Sequence, residues 1–399
     1  MKRRQFLQGS MAAATVAASG GVMLPAESHA QEKASIQQYR KLGNTDLKMS
    51  DIAFGAARLR ASSLVLRALD RGVNYIDTAP DYGHSEEAVG EALTRYKQRD
   101  KMIIASKFCL RDGTPTHPTV GSGVATYIGA VEASLKRMGT DYLDVVFTHA
   151  LGGDRSLERE QQRLLDPDML EAFDRLKQQG KVRYLATSSH GPYNMEELML
   201  QAVRSGHYDI IMPAFNFMRF PKLPELLSES KARGVGVIAM KTLAGAKASG
   251  DALLDGGSFE QAAFKWVLKH PEVAGLVISI KRVSDLDRFL PASGQSFAQQ
   301  DQKVLNRYAA LFGNEYCRTG CSDCESSCSA GVPVGEILRQ RMYFEDYGEE
   351  KRAMSLYAAL PTKADICSSC SDDGCAGACQ HGIPVGQALR GAHELLFFS

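Results

Sequence analysis

Between residues 50 and 290, short apolar runs alternate with longer stretches in which apolar positions recur every three to four residues. The apolar runs Asp51–Gly55, Asn74–Asp77, Met102–Lys107, Leu143–His149, Val182–Ser188, Ile210–Phe215, Gly236–Met240 and Gly275–Ile280 read as strands. Several are nearly continuous in apolar residues, the pattern of a strand covered on both faces. Helical periodicity falls on Ser63–Arg71, Glu86–Arg95, Gly123–Arg137, Pro167–Gln179, Asn194–Ser205, Pro224–Arg233 and Phe259–His270, and again from Val283. Eight strands alternating with helices predict an α/β chain closed into a parallel (β/α)8 barrel over residues 39–312. A doubly wound sheet would normally carry a glycine-rich phosphate turn after its first strand, and Gly55-Ala-Ala-Arg-Leu59 is not one.

The pattern changes beyond residue 313. Eight of the nine cysteines lie in this tail, with Cys109 the exception. They form two runs, Cys317, Cys321, Cys324 and Cys328, then Cys367, Cys370, Cys375 and Cys379. The runs end in related loops, Cys328-Ser-Ala-Gly-Val-Pro-Val-Gly335 and Cys379-Gln-His-Gly-Ile-Pro-Val-Gly386, and each loop leads into Leu-Arg on a helical pattern. Residues 313–399 are therefore expected to form a small, helical, cysteine-rich domain.

The other end of the chain reads as a targeting segment. Met1-Lys-Arg-Arg-Gln-Phe-Leu7 is a basic start with paired arginines, Met11 to Leu24 is mildly apolar, and Ser28-His-Ala30 offers a small-residue cleavage site. Residues 1–30 are expected to be a twin-arginine signal peptide, recognised by the twin-arginine translocation machinery, with 31–38 as linker. A periplasmic or secreted protein, exported already folded, follows from that expectation. The apolar run is too short to span a membrane stably. The chain's 399 residues are 44% hydrophobic and 23% charged, with a formal net charge of +1, which gives no electrostatic reason to expect a nucleic-acid partner.

Candidate chemistry gathers where the strands end. Asp77 closes the second strand with Tyr82 in the loop beyond, Lys107 closes the third, and His149 closes the fourth. The active site of a (β/α)8 enzyme is built at this carboxyl face. A tyrosine donates a proton usefully near neutral pH only if its phenolate is stabilised; a lysine ammonium supplies that, and an aspartate can hold the lysine in place.

Residues from about Tyr39 to Leu290 resemble the aldo-keto reductases. The resemblance rests on Gly72-Val-Asn-Tyr-Ile-Asp-Thr-Ala-Pro-Asp-Tyr-Gly83 running into Ser85-Glu86, then Ser106-Lys107, then Thr148-His149. It implies reversible reduction of a small carbonyl substrate to an alcohol by hydride from NADP(H), with no metal at the reaction centre. Tyr82 would protonate the carbonyl oxygen, Lys107 paired with Asp77 would lower the tyrosine pKa, and His149 would orient the carbonyl. The resemblance also implies cofactor positions. Ser188 and Ser189 in Ala186-Thr-Ser-Ser-His190 stand at the nicotinamide amide, with Ser189 where asparagine is common, and the glutamine usual near Met212 is missing. Phe217 or Met218 would cover the nicotinamide. Lys281 and Arg282 suit the NADP phosphate, although the Pro and Gly that usually precede them are replaced. Lys241 reads equally as a cofactor contact or a rim charge.

The tail is similar to a ferredoxin holding two [4Fe-4S] clusters, in which the fourth cysteine of each run serves the other cluster. Ser329 and Gln380 stand where proline is usual in that pattern, and both runs are longer than its spacing. Four disulfides stapling an exported domain, or two all-thiolate zinc sites, are the alternatives. The whole-chain expectation is an exported NADP-dependent reductase with iron–sulfur electron transfer and an electron-transfer partner. Its rivals are a non-catalytic small-molecule-binding barrel with a disulfide-stapled tail, and an electron-transfer module docked on an inert barrel. Cys109 is given no role.

Overall fold

Two three-residue strands open the described chain, β1 (Tyr39–Lys41) and β2 (Lys48–Ser50), paired as an antiparallel hairpin. The computed structural model describes residues 33–111, 116–218, 222–243, 257–371 and 374–398. The signal peptide expected at residues 1–30, and the first two residues of the linker, lie outside them. Eight parallel strands then close into a barrel: β3 (Ile52–Gly55), β4 (Tyr75–Asp77), β5 (Ile103–Lys107), β6 (Leu143–Leu151), β7 (Val182–Ser189), β8 (Ile210–Pro213), β9 (Gly236–Ala239) and β10 (Val273–Ser279). Their order around the barrel is their order in the chain, and β10 pairs with both β9 and β3.

Among the described residues, ten helices accompany the barrel: α1 (Ser62–Leu69), α2 (Ser85–Tyr96), α3 (Val124–Met138), α4 (Leu157–Leu164), α5 (Pro167–Gln178), α6 (Met195–Ser205), α7 (Leu223–Arg233), α8 (Phe259–Leu268), α9 (Val283–Phe289) and α10 (Gln299–Phe312). The alternation of faces explains two cores. Ala53, Tyr75, Ala105, Val145, Phe147, Ala186, Ile210 and Ile238 fill the barrel interior. Ile52, Phe54, Ile76, Ile104, Val146, Leu185 and Val237 point outward against the helices. Complete burial of such a side chain contributes about 1.5–3 kcal/mol.

The hairpin was not foreseen from the sequence. It closes the amino-terminal end of the barrel, adding Leu42, Leu47 and Met49 to the interior core. The plug fits tightly: the Asn44 N–H donates to the Gly234 carbonyl at 2.7 Å. A Cβ at Gly43, where φ is +58°, would stand 2.4 Å from the Gly236 nitrogen, so glycine is required there for both space and conformation.

Beyond α10 the chain forms a helical tail: α11 (Val334–Glu345), α12 (Glu350–Ala358), α13 (Gly374–Ala378) and α14 (Val385–Leu396). Val334, Ile337, Tyr343, Tyr357, Val385 and Leu389 give it a core of its own. Among the described residues, no helix is long and apolar enough to cross a membrane.

Candidate active site

The loop after β4 is tied into place before it reaches Tyr82. The Ser85 hydroxyl lies 2.7 Å from the Thr78 hydroxyl and donates to the Ala56 carbonyl, while buried Glu86 receives Ser106 and Arg137, both at 2.6 Å. These bonds fix the segment between Asp77 and α2 against β5 and α3. The Asp77, Lys107 and His149 positions converge with Tyr82 at the carboxyl end of the barrel.

Lys107 is buried, 2% exposed, and its ammonium donates to Asp77 Oδ1 at 2.8 Å and to the Thr78 carbonyl at 2.9 Å. It also lies 5.2 Å from the centre of the Tyr82 ring. The His149 ring meets Tyr82 edge-on, with centroids 6.0 Å apart. Burial raises the Asp77 carboxyl above its ordinary range, against the pull of Lys107.

Burial, and then Asp77, Asp81 and Cys109, push the Tyr82 phenol well above its ordinary value. The Lys107 hydrogen bonds are directed to Asp77 and Thr78, and Arg352 of the tail opposes the rise. Tyr82 is thus held as the neutral phenol, the form that can donate a proton. His149 is driven well below its usual pKa by burial and then by Lys107, His190, Arg163 and Arg352, so its ring is neutral at pH 7.

The expected cofactor residues divide into two groups. Ser188 and Ser189 are both buried. Ser188 Oγ accepts from the Ala150 N–H at 3.2 Å, and Ser189 Oγ donates to the Leu151 carbonyl at 2.8 Å, so both brace the end of β6. Phe217 packs edge-on against Phe259 and Tyr308, in the cluster joining α8 to α10. Lys281 and Arg282 follow β10, and the Arg282 side chain is 72% exposed.

Lys241 faces the tail instead: its ammonium lies 4.8 Å and 5.1 Å from the ring centres of Tyr343 and Tyr347. The tail is docked over the same face of the barrel. Arg339 donates to His190 Nδ1 at 3.2 Å and to the Gly191 carbonyl at 2.7 Å, Arg58 pairs with Glu349 at 2.7 Å, and Arg155 pairs with Glu325 at 2.9 Å. Against its burial, Lys241, Arg339 and Arg352 hold the Tyr343 phenol below its usual value. Arg352, Arg339, His190, Asp81 and Cys109 were all absent from the sequence-based site. A cavity of about 590 Å³ lies between barrel and tail, with His190 and Lys241 on one wall and Cys317 and Cys321 on the other.

The tail cysteines gather in crossed sets. Cys317, Cys321, Cys324 and Cys379 line one small recess. Cys367 feels Cys328, Cys375 and Cys370 as neighbours. Thus the last cysteine of each run sits with the other run. Cys317, Cys321, Cys324, Cys328, Cys367 and Cys379 form no disulfide.

Comparison with known proteins agrees with the barrel. A profile of the Aldo/keto reductase family matches residues 55–256. An uncharacterized oxidoreductase of Bacillus subtilis is 25% identical over 309 residues, covering 67% of this chain and 95% of that protein. L-galactose dehydrogenase of Arabidopsis thaliana is 29% identical over 221 residues, covering 52% and 66% respectively. A solved chain described as an aldo-keto reductase from Pseudomonas aeruginosa matches with a TM-score of 0.53 at 26% identity, covering 65% of this chain and 96% of its own.

Proposed function

This chain belongs to the aldo/keto reductase family, and from that premise we propose that it reversibly reduces a small carbonyl compound with hydride from NADP(H), using Tyr82 as proton donor. The observation that carries the reading is the convergence of Tyr82, His149 and the buried Lys107–Asp77 pair at one end of the barrel. Hydride arriving at a carbonyl carbon leaves negative charge on its oxygen, and donors already in place stabilise that charge. The raised Tyr82 pKa keeps the donated proton available in the reducing direction. Neutral His149 offers a ring N–H to orient the carbonyl. Lys107 and Asp77 act as positioning residues that hold the loop and one positive charge under the ring.

For the nicotinamide cofactor, the exposed Arg282 and nearby Lys281 are the residues available to grip a phosphate. Ser188 supplies a buried hydroxyl at the end of β7. Phe217 packs against Phe259 and Tyr308, and Lys241 lies against Tyr343 and Tyr347.

For the tail, the crossed grouping of four and four cysteines fits two [4Fe-4S] clusters. One would be held by Cys317, Cys321, Cys324 and Cys379, the other by Cys367, Cys370, Cys375 and Cys328. When bound, such clusters supply one-electron transfer, here toward an external redox partner. Export through the twin-arginine route suits a chain that folds with cofactors already aboard, because free NADPH is not expected outside the cytoplasm. The proposed location is the periplasm or the exterior.

Two measurements test the reading. Tyr82→Phe should lower the rate of NADPH-dependent aldehyde reduction by about 10²–10⁴-fold while NADPH binding persists; unchanged turnover would remove Tyr82 from the chemistry. Anaerobically purified protein should contain about eight irons and matching sulfide per chain. Colourless, iron-free protein would overturn the cluster assignment.

A further inference from the structure

Three side chains of the catalytic recess converge in a way that carbonyl reduction does not require. Asp81 follows β4, Cys109 follows β5, and His149 lies on β6. Cys109 Sγ is 3.2 Å from His149 Nδ1, and Asp81 Oδ2 is 3.8 Å from the same nitrogen. The three donor atoms lie within 4.8 Å of one another. The other Asp81 oxygen, Oδ1, is buried with no hydrogen-bond partner.

A nucleophilic relay is excluded by this arrangement. In such a relay the thiol and the carboxylate occupy opposite nitrogens of the imidazole. Here both approach Nδ1. Convergence of sulfur, nitrogen and oxygen on one point is the geometry of ligands around an ion. Zinc at ordinary bond lengths in a tetrahedral site would set sulfur and nitrogen about 3.6 Å apart, and nitrogen and oxygen about 3.3 Å apart. The two observed separations from Nδ1 differ from these by a few tenths of an ångström, and the sulfur and oxygen lie within 4.8 Å of each other.

We propose that Asp81, Cys109 and His149 form a three-ligand site for a divalent transition metal such as zinc or cobalt, with a fourth position open to the recess. Mixed thiolate, imidazole and carboxylate donors suit these ions, and three protein ligands with one open position is the pattern of reactive sites rather than closed structural ones. Coordination releases the thiol proton to solvent. The resulting thiolate and the carboxylate offset the two charges of the ion, so ion and ligands together are neutral in a recess that faces Lys107, Arg163 and Arg352. Metal on Nδ1 leaves the remaining proton on Nε2. Occupancy therefore fixes the tautomer of the histidine that faces Tyr82.

The test uses the full chain, purified anaerobically, and titrates cobalt(II) while metal content is measured after dialysis. The eight tail cysteines are present in wild type, Cys109→Ser and Asp81→Asn alike, so only differences between these proteins count. One metal equivalent and a near-ultraviolet sulfur-to-cobalt band should be present in wild type and lost in Cys109→Ser. The isosteric Asp81→Asn should lose that equivalent on dialysis, with an unchanged near-ultraviolet circular dichroism spectrum before metal is added. Identical metal content and identical difference spectra in all three proteins would overturn the site. The readout is binding, so it is independent of whether the chain turns over any carbonyl.

Discussion

Lys107 and Asp77 show how burial, rather than residue type, sets the chemistry of single side chains. Their pair is sealed from water, with side chains 2% and 7% exposed. Removing one partner leaves the other charge in a low-dielectric site. Lys107→Met should therefore destabilise the fold by about 3–5 kcal/mol, read as a shift in the urea midpoint, and adding Asp77→Asn should restore most of that loss. Equal destabilisation by the single and double variants would show that packing, not charge, dominates. Asp77, Lys107 and His149 were legible in the sequence because each closes an apolar run, and Tyr82 because it follows Asp77 in the same loop. Asp81 and Cys109 carry no such local mark. They acquire a common neighbour only when the ends of β4, β5 and β6 are brought side by side. The part that burial plays at Tyr82 was hidden for the same reason, since it depends on how much protein finally covers the ring.

At the scale of elements, the barrel strands were readable from their apolar runs, whereas the hairpin and the docking contacts were not. Strands of three residues, such as β1 and β2, are too short to display alternation, and the Arg339–His190 and Arg58–Glu349 pairs join segments far apart in the chain. His190 gives this docking a pH dependence. Its Nδ1 accepts from Arg339, which requires the neutral ring, and its pKa is held well below 6.5 by burial and then by Lys241, Arg339 and Arg352. A histidine with a depressed folded pKa contributes stability that is fully present above its unfolded value and is lost as pH falls below it, because the unfolded chain binds the extra proton. The melting temperature should thus fall between about pH 7 and pH 5, and His190→Gln, which can still accept from Arg339, should show a smaller acid loss. An unchanged pH slope in the variant would place the acid sensitivity elsewhere.

For the whole molecule, the barrel was visible in the alternation of strands and helices and the tail in its cysteine content, but the way the tail covers the barrel mouth was not. The crossed cysteine sets, which the ferredoxin resemblance also implies, make a specific prediction. Cys379→Ser should abolish the cluster assigned to Cys317, Cys321 and Cys324 and spare the one assigned to Cys367, Cys370 and Cys375, leaving about four irons per chain with one reducible signal by electron paramagnetic resonance. Loss of the second cluster instead would mean that each run serves itself. The docked tail also bears on timing. Arg339, Arg58, Arg155 and Lys241 fasten it at four separated points above Tyr82 and the adjoining cavity. A product formed beneath that cover departs only as fast as a passage opens. The first turnover should then outrun all later ones, seen as a rapid burst in stopped-flow records followed by a slower linear phase.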